Sequence, residues 1–388
     1  MVDLKKINLN YLFLFSTIFL IIISLILIEP LSSGDTAHYQ NQGNLIIQSG
    51  LISYLKNLFI EGGRPYYLYF FSILYTAFFK YIFLENWQSF FILSNLILSF
   101  IIFYNLLKAT NNTLISKFFF FFLFILNIEQ NQWNYYILGD VLLNFIFCLI
   151  FFIIIKVFSL DLPIKKNLIF LSILSFLAIF TKPTGALILG FLLLCWLFFF
   201  IKRIKSINFF VHILIKIILI FSVMALIFVI TSELNLFKIK NYADIGNLIK
   251  SGIVIETGSQ DRSVIINMGN KNFYDFLYLL IYKFIYFFKF WDFNFWSLKH
   301  NLINFIVFIP LYLSFFIACI NFKNFSLKEQ NIIIVSVVLI ISIGIFHAIT
   351  VIDFSFRFRL TAYCPLYYLL ILNLNSLKKI FLNLDRLK

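Results

Sequence analysis

Apolar runs of about twenty residues, separated by short polar connections, make up most of the chain. The first runs from Tyr11 to Ile28 behind Lys5-Lys6. It is long enough to cross a hydrocarbon layer of roughly 30 Å at about 1.5 Å per helical residue. No Ala-x-Ala cleavage pattern follows it, so it reads as a retained span and not as a signal peptide. Comparable runs recur at 88–107, 112–128, 138–157, 165–181, 184–201, 208–231, 301–320, 330–350 and 361–377. Two further apolar stretches, 65–84 and 276–290, carry Lys80 and the pair Lys283 and Lys289. Three basic connections, Lys108 with Lys117, Lys156 with Lys165 and Lys166, and Lys202 with Arg203 and Lys205, belong in the cytoplasm by the positive-inside rule. They reach it only if 65–84 does not cross. That stretch is therefore expected to be re-entrant or to lie on the surface, with Tyr66, Tyr67, Tyr69, Tyr75 and Tyr81 at headgroup depth.

The expected fold is an all-α polytopic membrane protein, one integral membrane domain over 1–388, with about ten transmembrane helices and both termini cytoplasmic. Residues 30–84 form a first outer loop with interfacial helices, since Leu45, Ile46, Leu51, Ile52, Leu55, Leu58 and Phe59 alternate with polar residues. Residues 232–290 form a long late outer loop with mixed charges and several glycines, long enough to be ordered for function. Parity makes 276–290 an interfacial helix.

Composition agrees with that solvent: 62% of residues are hydrophobic, 55 are Phe and only 12% are charged. The net charge of +14 would point to nucleic acid if it were clustered, but most Lys and Arg flank apolar runs. Nucleic acid is therefore excluded as a partner, and membrane lipids are implied. Cys148, Cys195, Cys319 and Cys364 are far apart within apolar runs and read as small hydrophobes, with neither a disulfide nor a zinc site.

The topology sorts the unusual residues to one side. Asp35, His38, Arg64, Asp140, Lys182, His347, Asp353, Arg357 and Arg359 all fall at outer ends of spans. Lys182, Arg357 and Arg359 sit where the charge rule disfavours cations, which calls for an anionic partner. Arg64, Lys182, Arg357 and Arg359 are candidates to hold a phosphate at headgroup depth and to stabilise it as a leaving group. Asp35 could deprotonate an acceptor hydroxyl or hold a divalent metal. His38 and Tyr39 lie one turn further along the same helix face, and Asp140 follows the aromatic group Trp133, Tyr135 and Tyr136. Each has a plainer reading. Asp35 could be a helix N-cap, Tyr39 an interfacial anchor, and Arg64-Pro65 a helix start. Lys182 could meet lipid headgroups, His347 could pack between helices, and Arg357 and Arg359 could pair with Asp353.

These residues carry a resemblance. Gly34-Asp35 with Tyr39 in the first outer loop, Arg64-Pro65-Tyr66-Tyr67-Leu68-Tyr69, Tyr136-Ile-Leu-Gly-Asp140, Thr181-Lys182-Pro183 and Arg357-Phe-Arg359-Leu-Thr-Ala-Tyr-Cys-Pro365 occur in that order over nearly the whole chain. Together they resemble the GT-C superfamily of integral membrane glycosyltransferases, in particular the branch of protein O-mannosyltransferases and lipid A aminoarabinose transferases. Thr36 stands where many relatives have a second acid, and Tyr66 where they have a second proline. The resemblance implies a shared helical core and an active site facing the outer, periplasmic side of a bacterial-type inner membrane. It also implies a polyprenyl-phosphate sugar donor, a lipid or glycan acceptor, and Asp35 as the catalytic carboxylate or the ligand of Mg or Mn. His38, Tyr39, Arg64, Asp140, Lys182, His347, Arg357 and Arg359 would then bind substrate. Two rival readings are a flippase of lipid-linked sugars, expected to place charges at mid-membrane, and a glycan polymerase of another fold.

Overall fold

The computed structural model describes residues 9–60, 66–110, 114–159, 164–192, 194–195, 281–282, 284–292, 297–349 and 359–385. The expected span at 208–231 and nearly all of the late outer loop lie outside them. The described chain is helical, and its one β-feature is an isolated parallel bridge between Leu31 and Tyr136. Helices run α1 (Leu9–Leu27), α2 (Gly34–Ser49), α3 (Leu51–Ile60), α4 (Phe70–Phe83), α5 (Trp87–Ala109), α6 (Leu114–Leu126), α7 (Ile128–Asn131), α8 (Asp140–Ser159) and α9 (Ile164–Thr181). After the undescribed stretch come α10 (Leu298–Ile320), α11 (Leu327–Ile349) and α12 (Leu360–Asp385).

Five apolar stretches among the described residues are long enough to cross a membrane: Asn10–Leu27, Phe70–Ala109, Asp140–Val157, Leu298–Ile320 and Leu327–Ala348. A sixth arises if α6 and the helical segment Ile128–Tyr135, bent by 57° against each other, form one broken span. This is a helical membrane protein, and the described residues hold fewer such stretches than the ten runs of the sequence, the run at 208–231 and the end of that at 184–201 lying outside them. Within the described residues two further runs fall short for local reasons. The apolar part of α9, Ile169–Thr181, is short. The run at 361–377 is interrupted by Asn373, Asn375 and Ser376. Its helix α12 is buried on nearly all sides from Leu360 to Asn373, so it meets protein and not lipid. Asn373 donates to the Ser314 carbonyl (2.7 Å) and Asn375 to that of Ala109 (3.1 Å). Such bonds let a central helix carry amides at membrane depth. By contrast α1 exposes Tyr11, Phe15, Phe19, Ile22 and Ile26, as a lipid-facing helix does.

The apolar stretch Phe70–Ala109 is a hairpin. Leu84 has φ 46°, a left-handed conformation unusual for a branched side chain, and the chain turns back there. Phe83 stacks on Phe90 at 3.9 Å, and the Tyr75 and Phe91 rings are 4.9 Å apart. In one straight helix, sixteen residues would separate the second pair by about 24 Å. The 14 residues of α4 extend about 21 Å, short of a bilayer core, whereas the 23 of α5 suffice. Helix α2 lies along α4, with Tyr39 beside Tyr69 and Lys80 donating to the Asn44 side chain at 2.6 Å. Helix α2 thus packs as a layer on α4.

The long helices alternate in direction. At one end Lys117 bonds Asn10, and Asn375 meets Ala109. At the other, residues 31–36 meet 135–137, and α7 meets the starts of α10 and α12. Single cysteines at Glu85 and Lys323, both exposed, are expected to react with an impermeant maleimide from opposite faces of the membrane. Labelling of both from one face would break the alternation.

Candidate functional site

The end of the bundle that holds Asp35 is organised by the segment 127–140. Asn127 caps α7 by accepting from the Gln130 N–H, and its own amide donates to Tyr367 at 3.0 Å. Asn134 accepts from Ser99 at 2.6 Å, and Asn95 donates to the Asn134 and Tyr136 carbonyls. This polar anchoring is what a non-helical backbone needs inside an apolar bundle. Residues 31–36 dock on the same segment. The Leu31 N–H donates to the Tyr135 carbonyl (2.8 Å), that of Ile137 donates to the Leu31 carbonyl (3.2 Å), and the buried Thr36 hydroxyl donates to the Ile137 carbonyl (3.3 Å).

Asp35 lies in the first turn of α2, but the N-cap is Ser33, whose N–H donates to the Thr36 hydroxyl at 2.9 Å. The capping role weighed for Asp35 therefore falls to its neighbour. A carboxylate in the first turn is favoured by the helix dipole. Thr36, the residue in place of a second acid, fixes this turn to the segment that leads into Asp140. His38 is half-buried one turn further on, and Tyr39 is buried with Ile46, Tyr54, Ile73, Ala77 and Leu138.

Asp140 and Lys182 form a buried ion pair. The ammonium donates to both carboxylate oxygens, at 2.6 and 2.7 Å, with the side chains 5% and 4% exposed. Asp140 opens α8 and Lys182 follows the last residue of α9, so the two helices present the pair between them. Ser72, near the start of α4, donates to the Thr181 carbonyl at 2.6 Å. A side chain at Gly139 would begin 1.9 Å from the Ser72 hydroxyl oxygen, so that glycine admits α4 beside the pair.

A second cluster centres on Glu129, a residue the sequence did not single out. Its carboxylate is 1% exposed. One oxygen, Oε1, lies 3.2 Å from His300 Nε2 and accepts from Asn304 at 3.4 Å. The other, Oε2, lies 3.5 Å from Arg359 Nη2. Arg359 itself is buried. It donates to the Lys289 carbonyl, and its guanidinium lies over the Phe308 ring at 5.0 Å. Glu129 is thus one of its partners, and Asp353 lies outside the described residues. Beside it, Lys289 and Tyr286 both bond the Asp292 carboxylate, at 2.8 and 3.2 Å, and Asn301 brackets the Asp292 backbone. Burial, and then the Asp292 charge, push the Tyr286 hydroxyl well above its ordinary range. The described part of the expected interfacial helix at 276–290 packs one side on the bundle: Phe287 is buried and the Phe288 carbonyl accepts from Tyr312, while Ile281 and Ile285 are exposed. His347 is buried at the end of α11 with its ring 5.0 Å from that of Phe287.

Of the expected site residues, the structure brings Asp140 and Lys182 into contact and places Asp35, His347 and Arg359 at the same end. Arg64 and Arg357 lie outside the described residues. Among the described residues, no group of three or more His, Cys, Asp or Glu is placed to hold a metal ion. No protein-family model, curated protein or solved structure matches the chain.

Proposed function

We propose that this protein is a glycosyltransferase of the GT-C type, with the ten-span topology of its apolar runs. It would move a sugar from a polyprenyl-phosphate donor to a lipid or glycan acceptor at the outer face of a bacterial-type inner membrane. The observation that carries this reading is the gathering of buried ionisable side chains, Glu129, Asp140, Lys182 and Arg359, at the end of the bundle to which the loop of Asp35 is docked. Charges are expensive at that depth and mark function more often than packing. A flippase would be expected to place them further along the spans.

In this reading the acceptor oxygen attacks the anomeric carbon, and the carbon–oxygen bond to phosphate breaks with its electron pair going to phosphate. Cations favour that departure. Lys182 shares its charge with Asp140, so a phosphate arriving there competes with that carboxylate. Arg359 is set behind the site by Glu129. His38, Tyr39 and His347 would contact the substrate, and Arg64 and Arg357 belong to the same proposed phosphate-binding set. Asp35 acts on the acceptor. A divalent ion, if bound, would be held by Asp35 and would draw charge from the departing phosphate.

The test is transfer by the purified full-length protein from a panel of radiolabelled polyprenyl-phosphate hexoses and pentoses to lipid extracted from the producing cells. Asp35→Asn is expected to lower transfer by about a hundredfold or more. Undiminished transfer in that variant removes Asp35 from the mechanism. Loss of wild-type transfer on chelation, restored by Mg or Mn, would assign Asp35 to a metal instead.

A further inference from the structure

We infer that Ser72 is a positioning residue of the site: its hydroxyl sets the Lys182 ammonium in register with the turn that carries Asp35. This rests on the glycosyl-transfer reading above and assigns what holds its phosphate side to its acceptor side. The observation is that one buried hydroxyl meets the residue before each member of the ion pair. Ser72 Oγ donates to the Thr181 carbonyl at 2.6 Å, and Thr181 precedes Lys182. A Cβ at Gly139, the residue before Asp140, would begin 1.9 Å from the same oxygen.

The bond acts on the peptide that aims the lysine. In the unit joining Thr181 to Lys182, the carbonyl accepts from Ser72 and the N–H donates to the Ala178 carbonyl at 3.4 Å. Because the unit is planar, it is held from both edges. The next carbonyl, that of Lys182, accepts from the Gly185 N–H at 2.8 Å, so the backbone is fixed on either side of the side chain that reaches Asp140. Ser72 and Thr181 are 1% and 0% exposed, which keeps water from replacing the hydroxyl. Without it, a carbonyl of the last turn of α9, which has no partner within its helix, stays buried and unpaired.

Ser72 also belongs to the helix pair that carries Asp35. It is the third residue of α4, and α2 lies along that helix. The two helices meet the bundle on one short stretch: Thr36 of α2 donates to the Ile137 carbonyl at 3.3 Å, and Ser72 of α4 lies against Gly139. From Ile137 to Asp140 the backbone extends at most about 11 Å. In a direct displacement the acceptor oxygen and the departing phosphate lie on opposite sides of the anomeric carbon, so a shift of Lys182 relative to Asp35 misaligns the attack. Misplacement by about 1 Å can cost about a hundredfold in rate.

The same transfer assay tests this, with the unfolding midpoint measured on each variant. Ser72→Ala is expected to lower kcat by about tenfold to a hundredfold at temperatures well below its midpoint, with the donor KM little changed. Ser72→Cys, which carries a weaker donor, is expected to fall between, and it serves the same comparison should the alanine variant not fold. The deciding comparison is Gly139→Ala alone and combined with Ser72→Ala. Removing the hydroxyl makes room for the new methyl group, so the double variant should be the more stable, yet its kcat should stay as low as that of Ser72→Ala. In a packing role kcat would recover together with the midpoint. Recovery of that kind overturns the inference and leaves glycosyl transfer standing, as does undiminished transfer by Ser72→Ala, or by Ser72→Cys where the alanine variant does not fold. No transfer by the wild type from any donor of the panel overturns both.

Discussion

Lys182→Met is expected to destabilise the folded protein by about 3–5 kcal/mol, because it leaves the Asp140 carboxylate buried with its cation gone. Asp140→Leu should cost a similar amount by stranding the ammonium. The double variant Asp140→Leu with Lys182→Met should recover most of the loss, since a well-packed apolar pair of similar volume often matches a buried ion pair in stability. Equilibrium unfolding in mixed detergent micelles measures all three. The cycle also separates packing from chemistry. A double variant that folds like the wild type but transfers no sugar would make the pair part of the site, whereas full transfer would make it a structural clasp between α8 and α9. Additive losses in the double variant would mean that the two residues do not stabilise each other.

That pair marks how far the sequence could be read. Asp140 and Lys182 were each conspicuous as charges at the outer ends of apolar runs, and the parity of basic loops put both on one side. Their contact was not legible, because 42 residues separate them and nothing local specifies which helices adjoin. The same parity set 65–84 apart as a stretch that does not cross, but the sharp turn at Leu84, which doubles a 14-residue helix back, left no mark in the apolar pattern. Amphipathic spacing in 30–64 announced short helices, yet not that α2 would lie along α4. Glu129 escaped notice because Glu-Gln-Asn-Gln reads as an ordinary polar connector. The available signal was the one used for Asp140: an acid beside Trp133 and Tyr135 at the end of an apolar run. His300 was masked by Lys299, which made it look like a span flank. Arg359 was recognised as a cation on the wrong side, but its contact with Glu129 joins segments distant in the chain and had no local signal.

Gly185→Ala is expected to be among the most damaging small substitutions in the chain. The chain leaves α9 at Thr181, passes through Lys182 in an extended conformation (φ −157°, ψ 152°) and folds back in the short 3-10 turn Pro183–Ala186. The Gly185 N–H donates to the Lys182 carbonyl at 2.8 Å, which brings Gly185 over the last turn of α9. A Cβ there would sit 1.8 Å from the Ala178 carbonyl oxygen and 2.2 Å from its carbon. Those are backbone atoms of a helix and cannot rotate aside as a side chain would. The oxygen also accepts from the Lys182 N–H, at 3.4 Å, so relieving the overlap means shifting the turn that aims Lys182 at Asp140. The overlap is at the upper end of what overpacking costs, about 3 kcal/mol. Gly139→Ala meets a softer obstacle, the Ser72 hydroxymethyl group, and Ser72→Ala should partly relieve it. No such partner variant exists for Gly185, because its obstacle is backbone. Gly185→Ala should therefore lower both the unfolding midpoint and transfer, with a second-site Ser72→Ala giving no recovery. A Gly185→Ala protein as stable as wild type would show that the turn has room to move, and would then make the position of Lys182 adjustable and not fixed.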